Sequence, residues 1–69
     1  MEAYQDRVIT ERDELSEKIN KLRTFLGGSV FSTLSIEERR RMTMQYLAMA
    51  AYRDALNERI HAFGNSHAS

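Results

Sequence analysis

Cysteine, proline and tryptophan are absent from this 69-residue chain, and only three glycines are present. Without cysteine there is no disulfide staple. With two histidines and no thiolate ligand, a structural zinc site has almost nothing to build on. No metal and no cofactor is expected. Net charge is missing too: ten basic residues balance ten acidic ones. The long-range field that non-specific binding to DNA or RNA requires is therefore lacking, and any anion must be caught locally. The apolar residues come in periodic pieces broken by charges, not in a run of about 20, and Met1 leads into EAYQDR. Neither a membrane span nor a secretory signal is expected, which favours the cytoplasm.

The absence of proline leaves Gly27-Gly28 as the main break between two segments rich in helix formers. The expectation is an all-α antiparallel hairpin: one helix over about 2–26, a loop over about 27–34, a second helix over about 35–63, and a frayed tail at 64–69. In the first segment Tyr4, Val8, Glu11, Leu15, Ile19, Leu22 and Leu26 recur at spacings of four and three. Gly27 suits the left-handed position that ends a helix. In the loop, Val30, Phe31 and Leu34 are expected to tuck against the hairpin end. Ser35-Ile36-Glu37-Glu38 reads as a capping box that starts the second helix. Its stripe is Met42, Tyr46, Met49, Arg53, Leu56, Ile60 and Phe63. Folding the stripes together pairs Leu22 with Met42, Leu15 with Met49, Val8 with Leu56 and Tyr4 with Ile60. Glu11 then lies opposite Arg53 as a buried or half-buried ion pair.

One stretch is greasier than a hairpin needs. Met42 to Leu56 is apolar or alanine at 11 of 15 positions. Met44, Ala48, Ala51, Ala55 and Ala62 recur about 180° from the first stripe, so the second helix has a second apolar face. Alanines there admit another helix at close range, and a lone two-helix hairpin has too little core to offset about 1.5 kcal/mol of ordering entropy per residue. The chain is expected to form a homo-oligomer. Simple helix propensity is the plainer account of the alanines.

Catalytic constellations are lacking: no Gly-rich phosphate loop after a strand, no HExxH pair, no thiol. The chain is not expected to be an enzyme. His61 and His67 lie near the C-terminal end. Arg39-Arg40-Arg41 invites a nucleic-acid reading, but Glu37 and Glu38 precede it and Glu37 is spaced to pair with Arg41. Duplex DNA or RNA is not an expected partner. Tyr4, Lys18, Tyr52 and Arg59 sit where an oligomer would create grooves. A ring near a cation suits a nucleobase and a phosphate. The same residues also fit a core tyrosine, a salt-bridged lysine, and an arginine paired with Glu58 or Asp6.

The order Y-x2-R-V-x2-E-x3-L-x2-K-I-x-K-L, read at Tyr4, Arg7, Val8, Glu11, Leu15, Lys18, Ile19, Lys21 and Leu22, is followed by L-S-x-E-E. Then comes Q-x3-M-x2-Y-x3-L-x2-R-I, at Gln45, Met49, Tyr52, Leu56, Arg59 and Ile60. Over roughly residues 2 to 63 this resembles the helical-hairpin domain of phage anti-CBASS and anti-Thoeris sponge proteins. The resemblance implies a non-enzymatic phage protein, a homohexamer that sequesters cyclic nucleotide immune messengers in the infected bacterial cytoplasm. It implies ligand contacts at Tyr4, stacking on a base of a cyclic dinucleotide, and at Lys18, on its phosphates, with Lys21 the alternative. Arg59, repeated about a three-fold axis, would hold a cyclic trinucleotide. The extra domain of some anti-Thoeris members has no counterpart, which favours a cyclic oligonucleotide over cyclic ADP-ribose. The reading from another class is a structural or adaptor hairpin that docks its alanine face on a different protein.

Overall fold

A computed structural model describes residues 2–68, with side chains through Gly64. Among the described residues all regular structure is helical: α1 (Ala3–Leu26), α2 (Ser29–Thr33) and α3 (Ile36–Ala68). The shape is a rod of 52 × 15 × 14 Å. α1 and α3 run antiparallel along it. The Tyr4 ring, at the start of α1, meets Phe63, late in α3, edge to face at 5.7 Å, and Arg12 Nη1 donates to Asn57 Oδ1 at 2.8 Å.

The seam between them is narrow. Val8, Leu15, Ile19 and Leu56 are buried, and Tyr46, Met49, Ile60 and Phe63 pack around them half-exposed. These are the members of the two stripes at which the i, i+3 and i, i+4 spacings converge. Gln5 is buried as well. Its amide oxygen accepts from the Glu2 backbone N–H at 3.1 Å, closing the first turn of α1.

The connection differs from the expected loop. Gly27 has φ −89° and ψ 0°, in the right-handed region, and no glycine has positive φ. The chain needs no left-handed residue because it leaves α1 almost directly into the single turn of α2. Gly27 N–H bonds to the Arg23 carbonyl at 3.2 Å and Gly28 N–H to that of Phe25 at 3.0 Å. A Cβ on Gly28 would stand 3.4 Å from the Phe25 carbonyl oxygen, at the near limit of ordinary van der Waals contact. Inside α2, Ser32 Oγ and Thr33 Oγ1 donate back to the carbonyls of Ser29 and Val30, each at 2.7 Å, in place of helical partners that five residues cannot supply. Phe31 does turn inward, edge to face with Phe25 at 6.4 Å, and Leu34 is half-buried, but Val30 is exposed.

Ser35 caps α3 as its spacing predicts, with Oγ accepting from Glu38 N–H at 3.1 Å. The Glu38 carboxylate accepts instead from Arg41 Nε at 2.8 Å, so Glu38, not Glu37, is the partner of Arg41. α3 runs through Ala68, past the boundary expected near 63. The expectation of a frayed tail falls mostly on residues 65–69, whose side chains lie outside those described.

Candidate functional site

Two edges flank the buried seam, and each is marked by a contact across it: Tyr4 with Phe63 on one, Arg12 with Asn57 on the other. Helical periodicity assigns their neighbours. Two turns are about 7.2 residues, so Glu11 and Lys18 follow Tyr4 on its edge. Arg59 precedes Phe63 by about one turn, and Tyr52 precedes Arg59 by two. Arg53 precedes Asn57 by about one turn and belongs to the opposite edge.

This division explains why the expected Glu11–Arg53 ion pair is absent. Glu11 is exposed on the Tyr4 edge, whereas Arg53 is half-buried on the other, where its nearest carboxylate oxygen is that of Asp54, 3.9 Å from Nε. The polar link that crosses the seam is Arg12 to Asn57, and Arg12 Nε also donates to Asp13 Oδ1 at 2.8 Å. On its own edge Tyr4 meets Phe63, about one turn from Ile60, which packs against the buried core as well.

Tyr4, Lys18 and Arg59 thus share one edge, joined by Tyr52. Tyr4 and Tyr52 are about half exposed, at 52% and 47%, and Lys18, Lys21 and Arg59 are exposed. None of these three cations forms an ion pair among the described residues. Flat rings and unpaired cations in one row can stack on bases and receive phosphates.

The row is not one pocket. Tyr4 and Lys18 are 14 positions apart, about 21 Å along α1, and the Glu11 carboxylate stands midway between them. An anionic ligand lying along a single chain would cross that carboxylate, so a cleft using both residues has to draw them from two chains. An open depression of about 450 Å³ on α3, lined by Asn57, Glu58, His61 and Ala62, includes none of the three. The described residues contain no group of three or more His, Cys, Asp or Glu side chains able to hold a metal.

The second apolar face of α3 is exposed along its length. Met44 and Leu47 are 58% and 60% exposed, and Ala48, Ala51, Ala55 and Ala62 are exposed with them. Leu47 is the residue that sequence reasoning left off this face. Its place three after Met44 and four before Ala51 is the signal that includes it. Within the arginine run, Arg41 is tied to Glu38, and among the described residues the exposed Arg40 has no ion pair and the half-buried Arg39 has an Nε that no hydrogen-bond partner reaches.

Comparison with known proteins places this hairpin. The family model described as Sequestin matches residues 2–62. The chain belongs to the Sequestin family. A curated relative from Enterobacteria phage T4, the "Uncharacterized 7.5 kDa protein in denB-rIIB intergenic region", is 41% identical over 63 residues, covering 91% of this chain and 98% of its own length. No solved structure matches. The Sequestin match agrees with the resemblance to phage sequestering proteins carried by the two helical motifs. No helix among the described residues is long and apolar enough to cross a membrane.

Proposed function

We propose that this protein is a phage anti-defence sponge that binds cyclic oligonucleotide immune messengers in the cytoplasm of the infected bacterium and holds them without cleavage. The observation that carries the reading is the Sequestin match over residues 2–62, which takes in α1, α2, most of α3 and every proposed contact. The exposed row of Tyr4, Lys18, Tyr52 and Arg59 supports it from the side of chemistry, because it offers stacking surfaces and unpaired cations together. Tyr4 stacks on a base of a cyclic dinucleotide and Lys18 of a neighbouring chain meets the phosphates. Arg59 side chains gathered from several chains hold a cyclic trinucleotide. The working unit is a homo-oligomer, a hexamer by the family resemblance. Sequestration acts by mass action, so the protein is made in amounts comparable to the messenger.

Calorimetry against a panel of cyclic di- and trinucleotides and cyclic ADP-ribose isomers tests this. Submicromolar binding of a cyclic oligonucleotide is expected, with a rise in thermal midpoint as ligand stabilises the native assembly. The ligand should be recovered intact after the protein is denatured. Tyr4→Ala should weaken dinucleotide binding and Arg59→Ala trinucleotide binding. Recovery of a linear product would make the protein a phosphodiesterase. Binding confined to cyclic ADP-ribose would move the specificity to the other messenger class.

A further inference from the structure

The zero net charge of this chain hides a strong polarity. Residues 18–47, the half of the rod that holds the turn, contain six basic and two acidic side chains, a net of +4, so the open half carries −4. On α3 this polarity is carried by two residues that bracket the unpartnered face. Arg40 and Glu58 are 18 positions apart, five whole turns of 3.6 residues, and so share one azimuth. Between them on the same side lie Met44, Leu47, Ala51 and Ala55. Both charges are exposed, and neither is in an ion pair among the described residues.

From this we infer that the face is covered by a second copy of the chain, with the two α3 helices antiparallel about a two-fold axis near Met49. The orientation refines the self-association of the proposed function and rests on it. In that arrangement Arg40 meets Glu58 of the partner subunit at each end of the contact, and Leu47 comes opposite Ala51 of the partner subunit, a large side chain against a small one. Parallel packing would set Arg40 against its own copy and Glu58 against its own copy, two repulsions in place of two attractions. It would also lay the two +4 halves side by side.

The surface area supports an occupant of this size. The chain exposes 5219 Å², whereas a compact monomer of its 8.0 kDa mass exposes roughly 4,450 Å². The excess of roughly 770 Å² belongs to the rod as a whole and leaves room for a contact of standard size, about 800 Å² from each partner. The alanines allow the close backbone approach that such burial needs.

Sedimentation equilibrium of Arg40→Glu, Glu58→Arg and the double swap tests the orientation. Each single reversal creates two like-charge contacts and should weaken association about tenfold at low salt, with less effect at 1 M salt, where screening acts within about 3 Å. The double swap should restore it, and circular dichroism should show all three variants equally helical. Independently, a spin label on Glu37→Cys, a clean single site in a cysteine-free chain, should report about 36 Å between copies in spin-diluted samples, against about 10 Å for parallel packing. Assembly without rescue by the double swap, or with the short distance, overturns the orientation and leaves the sponge reading standing. A wild-type chain that is monomeric at every concentration overturns both.

Discussion

Leu47→Ala separates a docked face from a bare one, because the two cases predict effects of different size. In the isolated hairpin Leu47 is 60% exposed, and alanine is the better helix former. Replacement should then leave the folded hairpin unchanged within about 0.5 kcal/mol, or slightly stabilised. In an assembly that covers the face, the same leucine is buried. Full burial of a leucine is worth about 1.5–3 kcal/mol, and the exposed 60% of that is roughly 1–2 kcal/mol per copy, part of which the alanine methyl retains. Two copies meet at one contact, so the contact loses roughly 2–3 kcal/mol, a weakening of about 30- to 150-fold in dissociation constant. Sedimentation equilibrium gives the constant directly, and circular dichroism at two protein concentrations reports whether helicity now depends on dilution. An unchanged association constant would refute the claim that this face is buried on assembly.

Leu56→Ala removes a side chain that is 1% exposed and should cost about 2–5 kcal/mol; urea unfolding should find the variant at or past the edge of folding. Ser35→Ala deletes the acceptor of Glu38 N–H and should cost about 1 kcal/mol, seen as a lower thermal midpoint with assembly intact. Arg12→Ala, which loses the bond to Asn57, should cost about 0.5–1.5 kcal/mol, whereas Glu11→Gln should change stability by less than about 0.5 kcal/mol because Glu11 holds no partner across the seam. Comparable losses for both variants would contradict the assignment of Arg12 and Glu11 to opposite edges.

The helices and the core were legible in the sequence because they follow from one period. Val8, Leu15, Ile19 and Leu56 all come from the stripes that the spacing picks out, and the Ser35 cap is a local signal that needs no tertiary information. Cross-helix partners were harder. A stripe fixes which side of a helix faces inward but not which flank of the seam a residue takes, so Glu11 and Arg53 could be set opposite each other on a flat projection while lying on different edges of the solid rod. The ring contact between Tyr4 and Phe63 escaped for the same reason. The short helix α2 escaped because its closure depends on hydroxyl bonds from Ser32 and Thr33, residues whose composition reads as loop. Tyr4, Lys18 and Arg59 fall on one edge, a relation that became legible only once Tyr4–Phe63 had identified that edge.

A rod only 15 × 14 Å across commits few side chains to its interior; among the described residues four apolar ones are buried, and of these Ile19 and Leu56 are fully covered. Most remaining positions point outward and can change without disturbing the spine. In such a molecule a new binding preference requires no redesigned scaffold, because single substitutions along an exposed flank alter what is recognised while the fold underneath stays as it was.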